Sequence, residues 1–386
     1  MKPKLLPLLL ASATLLIMAF SYSAKKTNPS APPPAEGKIQ VAVLLDVSNS
    51  MDGLIEQAKA QLWNMVSVLG KAKCANGQAP QVEIALYEYG RSSNDVKKGY
   101  VLQISPFSQD LDEVSKKLFG LNTNGGDEYC GQVILSSINE LQWDAAPENY
   151  KVVFIAGNED FLQGSVSFSQ ACAAAKKKGV IVNTIYCGDK MRGVREHWNL
   201  GSECGMGSYT NINSDAKIDD IPTPYDSTIF VLNNQLNNTY VAYGTGGAAA
   251  SQKQAEVDKM NYSMNKSVAA KRVAVKGKKG LYKNTTWDLV DAQEADDKFI
   301  DKVDLKTLPD SLKNKSRAEV KKIVEQKSAQ RNNIQKDIAN LSVQREAFIV
   351  AERKKMAAGT NTPTLETEVE KIVREQAKRY NMTIEQ

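Results

Sequence analysis

Unbroken apolar runs alternate with amphipathic stretches along the first half of the chain. Three of these runs have the composition of strands that are buried on both faces: residues 39–46 ("IQVAVLLD"), 150–157 ("YKVVFIAG") and 180–188 ("VIVNTIYCG"). Between them lie helical periodicities, the clearest in residues 51–70, where the pattern ends at Gly70. The alternation predicts a doubly wound α/β fold, a mostly parallel sheet with helices on both faces.

Helical periodicity replaces the strand-like runs beyond residue 217. Residues 312–358 contain no Gly or Pro and carry apolar side chains at helical spacing, which predicts one long helix. The segment "GTNTP" (359–363) interrupts the pattern, and residues 365–380 form a second amphipathic stretch. We therefore expect a helical hairpin, or a coiled-coil-like extension, after the α/β domain.

The first 24 residues have the layout of a secretory signal peptide. Two lysines precede an apolar stretch from residue 5 to residue 20, and cleavage is expected after Ser23 or Ala24. An uncleaved membrane anchor is the alternative, although the run is short for a spanning helix. These features predict a secreted or periplasmic protein without stable membrane insertion after cleavage.

The patterns together divide the chain into consecutive parts. A signal peptide (1–24) and a Pro-rich linker (25–37) precede the α/β domain, which is expected at 38–240. A mixed helical and irregular connector (241–311) then leads to the helical extension (312–386).

Composition removes several classes of function. The net charge is +5, from 49 Lys and Arg against 44 Asp and Glu, and so thin an excess does not favour nucleic-acid binding. His197 is the only histidine, which excludes a His-rich zinc site, and we assign it no role. No C-x-x-C pair is present, which removes the zinc-ribbon and thioredoxin signatures.

The first apolar run ends in a cluster of oxygen-bearing side chains. Asp46, Ser48 and Ser50 follow one another at two-residue spacing, between a predicted strand and a predicted helix. A parallel sheet binds ligands outside the carboxyl ends of its strands, at the point where the strand order reverses. Hard oxygen ligands without imidazole suit Mg²⁺ or Mn²⁺, with Ca²⁺ as a further candidate. The alternative is that Ser48 or Ser50 only caps the following helix.

The segment "VLLDVSNSM" (43–51) resembles the first motif of the von Willebrand factor type A (VWA) domain, and the resemblance covers about residues 38–240. It implies a metal-ion-dependent adhesion site in which Asp46, Ser48 and Ser50 bind a divalent cation, directly or through water. Further phrases, such as "GGDEYCG" and "VNTIYCGD", resemble a subgroup of exported bacterial proteins that contain this domain.

Two further loops complete the site in the family that the chain resembles. The second loop matches "NTNGGDEYCG" (122–131), where the aligned ligand position is about Asp127, with Thr123 close by. The third matches "FIAGNEDF" (154–161), where the family's Asp falls near Gly157 or Asn158 and Asp160 is displaced. The resemblance therefore implies a degenerate site in which the second loop contributes Asp127 as a ligand, with Thr123 and Asp160 as further candidates.

The resemblance implies adhesion or protein binding rather than catalysis, with a partner carboxylate at the cation's open position. A second hypothesis is a structural envelope protein, in which the domain is a metal-free scaffold and the C-terminal helices mediate homo-oligomeric assembly. A third is a hydrolase that uses the acidic side chains of Asp127, Glu128, Glu159 and Asp160.

Export would place the five cysteines in an oxidising compartment, where one or two disulfides are expected. Cys172 is expected in the opening turn of a helix and Cys187 at the end of the next strand, so the topology puts both at the sheet edge of Asp46. Cys172–Cys187 is the predicted bridge, because bridged Cα atoms lie within about 7 Å. The alternative is that buried cysteines only fill the core.

Overall fold

The computed structural model describes residues 37–213, 221–356 and 365–384. Residues 36–386 cluster into one unit. The expected signal peptide at 1–24, and all but the last residue of the expected linker at 25–37, lie outside the described residues.

A six-stranded sheet organises the first part of this unit, and a two-stranded sheet lies beside it. The order of the large sheet is β4-β3-β1-β5-β6-β7, with every neighbouring pair parallel except β3 and β4. This is the order of a doubly wound fold, as the apolar runs predict. The strands are β1 (Lys38–Asp46), β2 (Ala72–Lys73), β3 (Gln81–Tyr89), β4 (Leu102–Ser108), β5 (Tyr150–Gly157), β6 (Ile181–Cys187), β7 (Met206–Ile212) and β8 (Thr383–Ile384).

Helices cover both faces of the large sheet, which accounts for the nearly complete burial of β1, β5 and β6. One apolar core joins the sheet to α1, the other joins it to α3 and α4. The helices of this part are α1 (Asp52–Leu69), α2 (Leu111–Phe119), α3 (Cys130–Glu140), α4 (Phe168–Lys177), α5 (Lys190–Arg195) and α6 (Trp198–Cys204).

Helices make up most of the remaining chain. They are α7 (Asp226–Asn237), α8 (Gly247–Met264), α9 (Lys266–Lys276), α10 (Leu289–Ala295), α11 (Phe299–Lys302), α12 (Arg317–Met356) and α13 (Leu365–Ala377). The predicted long helix is confirmed as α12, which has 40 residues. No helix among the described residues is long and apolar enough to cross a membrane.

The last two helices make most of their contacts with different parts of the protein, and the turn predicted between them at 359–363 lies outside the described residues. Helix α12 packs on α7, α9 and α10, and its buried Arg331 and Arg345 form ion pairs with Asp288 and Asp226. Helix α13 instead returns to the sheet and packs on α1 and β7. Ile334 and Ile338 of α12 are thus buried against this chain's own helices, whereas Val343 and Val350 of the same helix are exposed.

The predicted Cys172–Cys187 bridge is wrong, because Cys172 is bonded to Cys204 with a Cα–Cα distance of 5.8 Å. Cys187 is buried and its side chain lies in the α1-side core, whereas α4, which carries Cys172, packs on the opposite face. Cys204 ends α6, which packs on α4 and brings the two sulfur atoms together.

Candidate metal centre

Four chain segments meet at the carboxyl edge of the sheet, where the order reverses between β1 and β5. Backbone hydrogen bonds hold three of them in register. The Val47 N–H donates to the Tyr89 carbonyl at 3.0 Å, and the Asn124 N–H donates to the Val47 carbonyl at 2.8 Å. The Ser92 N–H donates to the Gly125 carbonyl at 2.9 Å. The turn after β1 is thus fixed against the turn after β3 and the loop before α3.

Asp46 and Ser48 are buried and only partly hydrogen-bonded. Asp46 is fully buried, and its Oδ1 accepts a bond of 2.8 Å from the Ser48 N–H. Its Oδ2 and the Ser48 Oγ are also buried and make no well-aligned hydrogen bond among the described residues, although the nearby Ser48 hydroxyl and Asn158 N–H act against the rise in the pKa of Asp46 that its burial causes. The Ser48 hydroxyl caps no helix, so the capping alternative is wrong for this residue. Such orphaned oxygens cost about 1–3 kcal/mol each and call for an unseen partner.

A third orphaned oxygen belongs to Asn158, directly after β5. The Asn158 Nδ2 donates to the Ser50 Oγ at 3.1 Å, while its buried Oδ1 lacks a partner among the described residues. This bond links the end of β5 to the turn after β1. Asn158 is one of the two positions expected for the third loop's Asp, and it carries an amide oxygen in place of a carboxylate.

Glu128 supplies a second carboxyl group to the same place. Its side chain is buried, and burial, followed by the negative charges of Asp46 and Glu159, raises the pKa of Glu128 to about 8. Burial likewise raises the pKa of Asp46 to about 6, although the Ser48 amide hydrogen bond opposes this rise. Asp46 raises the pKa of Glu128, and Glu159 raises that of both, so the buried acids form an electronegative site that a cation would stabilise.

Glycines allow the backbone to approach these two acids. A Cβ on Gly157 would lie 2.9 Å from Asp46 Oδ2 and 2.5 Å from the Tyr89 hydroxyl oxygen. A Cβ on Gly90, whose φ is +81°, would lie 3.0 Å from both Asp46 Oδ1 and Glu128 Cγ. A side chain at either position would fill the space beside the carboxylates, so the cradle depends on glycine.

The other residues expected at the site have different partners. Thr123 donates its hydroxyl to Asp52, and the exposed Asp127 accepts a bond of 3.0 Å from the Tyr129 hydroxyl. Asp160 pairs with His197 Nδ1 at 3.0 Å. The structure thus brings Asp46, Ser48 and Ser50 together but places Glu128, rather than its neighbour Asp127, against them.

The donor set fits a hard divalent cation. It contains two carboxylates, two serine hydroxyls and one amide oxygen, all of which are the oxygen ligands that Mg²⁺, Mn²⁺ and Ca²⁺ prefer. No group of three or more His, Cys, Asp or Glu side chains suited to a metal occurs in the described part of the chain. A site here would therefore depend on hydroxyl and amide oxygens in addition to Asp46 and Glu128.

The strand order, and the place of the Asp-x-Ser-x-Ser turn at the switch point, agree with the fold expected from the resemblance to the VWA domain. No protein-family model and no curated protein matches the sequence. Among solved structures, the chain is similar to an aerotolerance-related membrane protein from Bacteroides fragilis at 15% identity and a TM-score of 0.32, covering 46% of this chain and 93% of that one.

Two other solved structures show the same likeness. One is a von Willebrand factor type A protein from Catenulispora acidiphila, at 13% identity and a TM-score of 0.34, covering 46% of this chain and 39% of that one. The other is proximal thread matrix protein 1 from the mussel byssus with a zinc-occupied MIDAS motif, at 13% identity and a TM-score of 0.32, covering 46% and 42%. The chain spans less than half of either protein, and at this identity the likeness concerns the fold alone.

Proposed function

We propose that this chain is a binding module that binds a protein partner through a divalent cation at the carboxyl edge of its sheet. The observation that supports the proposal is that three buried oxygens without a well-aligned partner, Asp46 Oδ2, Ser48 Oγ and Asn158 Oδ1, belong to adjoining loops at this edge, together with the buried Glu128. Ordinary folding leaves few such atoms, and here three come from two loops that contact each other.

The cation would be held by Asp46, Ser48, Ser50 and Glu128, with Asn158 as a further oxygen donor. Mg²⁺ is the first candidate, and Mn²⁺ and Ca²⁺ accept the same donors. Asp46 would act as a fixed ligand, because its Oδ1 is already held by the Ser48 amide and its Oδ2 is left for the ion.

Charge explains why the partner would need the cation. The charge of Glu159 opposes the ionisation of both Asp46 and Glu128, and the charges of Asp46 and the exposed Asp127 also oppose that of Glu128. A partner carboxylate would be repelled by this edge alone and attracted once a divalent cation is bound. We therefore propose a protein partner that offers an Asp or Glu side chain.

The place of action that we propose is outside the cytoplasm, secreted or periplasmic. The support is the layout of residues 1–24, with lysines, an apolar stretch and small residues in that order. Mass spectrometry of the mature N-terminus tests this location: cleavage after Ser23 or Ala24 is expected, and an intact Met1 contradicts it.

Calorimetric titration of Mg²⁺, Mn²⁺ and Ca²⁺ into the wild type and into Asp46→Asn tests the cation site. The wild type should bind at least one of these ions and Asp46→Asn none, while circular dichroism of the two proteins stays alike. Absence of binding to the wild type would favour the metal-free structural protein. A cation-dependent pull-down with the mature protein, repeated in EDTA, then tests the partner.

A further inference from the structure

A second concave site lies among the helices of the C-terminal part. It is a groove between α7 and α8, with α9 as its floor, and it has a volume of about 410 Å³. This lies within the range of small-ligand pockets, about 300–1,000 Å³. None of its lining residues belongs to the candidate metal centre, so the groove is a separate site.

Buried charges of both signs lie in the floor of the groove, which Asp258 and Arg272 line, and directly beneath it. Lys276 is fully buried and donates to both oxygens of Asp258, at 3.1 and 2.8 Å. Arg272 donates to Asp258 at 2.6 Å and, on its other side, to Asp112 at 2.6 Å. Burial alone would raise the pKa of Asp258, but the two cations reverse this and hold it well below its ordinary value. Two cations and two anions balance, so the floor is polar but carries no net charge.

The floor fixes the orientation of two asparagine amides. The Nδ2 groups of Asn233 and Asn237 donate to Asp258 Oδ2 at 3.0 and 2.8 Å, and their Oδ1 atoms accept from Lys276 at 2.9 and 2.6 Å. An ammonium only donates and a carboxylate only accepts, so neither amide can be reversed without losing both bonds. Each amide has one further N–H and one further oxygen lone pair beyond these bonds, and both residues line the groove, Asn237 being the more exposed of the two.

Aromatic side chains form one wall of the groove. The rings of Phe230 and Tyr262 meet edge to face, with centroids 5.1 Å apart, and Tyr262 is 50% exposed. The face of an aromatic ring is electronegative and attracts the polarised C–H groups of a ligand. An exposed tyrosine beside fixed amides suits a ligand with one apolar face and one polar edge.

We propose that this groove binds a saccharide. Each hydroxyl of a sugar both donates and accepts, which matches the donor–acceptor pairs that Asn233 and Asn237 leave open one helical turn apart. The C–H face of the same ring would stack on Tyr262. A balanced floor with only Lys259 added at the rim offers little to a phosphate-rich ligand, and the polar amides disfavour a purely apolar one.

Saturation-transfer NMR and calorimetry on the full chain test the proposal, with N-acetylglucosamine, its β-1,4-linked dimer, cellobiose and glucuronate as probes. All titrations are made in EDTA, so that binding here is distinguished from binding at the candidate metal centre. We expect at least one probe to bind, and binding to weaken about tenfold or more in Tyr262→Ala and in Asn237→Ala. Tyr262→Phe should keep the stacking and the affinity.

The matched controls are Asn238→Ala and Val231→Ala, neighbouring exposed side chains of the same chain segment that do not line the groove. Both should bind like the wild type. The proposal is overturned if no probe binds in EDTA at millimolar concentrations, or if binding survives both groove variants. Should Asn237→Ala fail to fold, the half-exposed Tyr262→Ala decides alone.

Discussion

Glu128 and Asp127 are adjacent acids with opposite surroundings, so a pair of matched substitutions separates a metal ligand from a bystander. Glu128→Gln and Asp127→Asn each remove one negative charge and keep the side-chain shape. Glu128 is buried beside Asp46, whereas Asp127 is exposed. We expect the two variants to behave differently both with and without a cation.

The magnitude without a cation comes from the pKa of Glu128, which rises from 4.5 to about 8. Each pKa unit corresponds to about 1.4 kcal/mol, so at pH 8 the ionised Glu128 destabilises the fold by up to about 4 kcal/mol. Water at the open rim screens part of this, and we expect about half, roughly 2 kcal/mol. Glu128→Gln should therefore unfold at a higher denaturant concentration than the wild type in EDTA, whereas Asp127→Asn should differ by less than about 0.5 kcal/mol.

The order reverses when a divalent cation is added. At a cation concentration of about 100 times the dissociation constant, the wild type should gain about 2.7 kcal/mol from binding alone. Glu128→Gln lacks one of two carboxylate ligands and should gain little, while Asp127→Asn should respond like the wild type. Denaturant unfolding at pH 8, in EDTA and in excess Mg²⁺, Mn²⁺ or Ca²⁺, measures both effects.

Two results would refute the reasoning. If Glu128→Gln is less stable than the wild type in EDTA, the Glu128 carboxylate stabilises the fold instead of destabilising it. If Glu128→Gln keeps the full cation response while Asp127→Asn loses it, the ligand is Asp127, as the alignment of the loop suggests.

Further predictions concern pH, the disulfide and the long helix. Without a cation the folded protein holds more protons on Asp46 and Glu128 than the unfolded chain does, so its stability should fall as the pH rises from about 4.5 to 8. Denaturant unfolding in EDTA at a series of pH values measures this, and a free energy of unfolding that increases over the range contradicts the raised pKa values. For the same reason, cation affinity should increase from pH 6 to pH 8 with release of protons, which calorimetry in buffers of different ionisation enthalpy measures. Cys204→Ser opens a bridge with a sequence separation of 32 and should lower stability by about 3–4 kcal/mol, and peptide mapping without reduction should recover the bridged pair. Arg331→Met leaves Asp288 buried without its ion-pair partner and should lower the free energy of unfolding by about 3–5 kcal/mol. Breaking the exposed ion pair between Lys313 and Asp310 should lower it by almost nothing.

The first half of the candidate site could be predicted from the sequence because it is local. An apolar run that ends in Asp46, followed at once by an amphipathic helix, fixes a parallel strand, its carboxyl edge and the side chains just beyond it. Ser48 and Ser50 lie within the same turn, so their proximity to Asp46 needs no long-range contact. The fold class follows from the same local patterns repeated along the chain.

The choice of Glu128 over Asp127 depends on a contact between distant segments. A Cβ on Gly126 would lie 2.6 Å from the Ser92 nitrogen and 2.7 Å from the Gly90 oxygen, so the loop is pressed against the turn that follows β3. This contact turns Glu128 inward and leaves Asp127 in solvent. Two adjacent acids after two glycines carry no sequence signal for which one faces the interior, so the alignment alone favours the wrong one if the cation site is as proposed.

The disulfide could be predicted only in part from local sequence, because the strand pattern excludes the wrong partner of Cys172 but does not identify the right one. Alternate residues of β6 face opposite sides of the sheet: Ile181, Ile185 and Cys187 lie in the α1-side core, whereas Val182 and Tyr186 lie in the core of α3 and α4. Since α4 packs on the second face, the sheet separates its Cys172 from Cys187. The alternation that places Cys187 on the first face follows from its position in "VIVNTIYC". The partner itself was not readable, because Cys204 approaches Cys172 only through the packing of the short helix α6 on α4. Strand alternation therefore excludes pairs reliably, while the correct pair requires the tertiary structure.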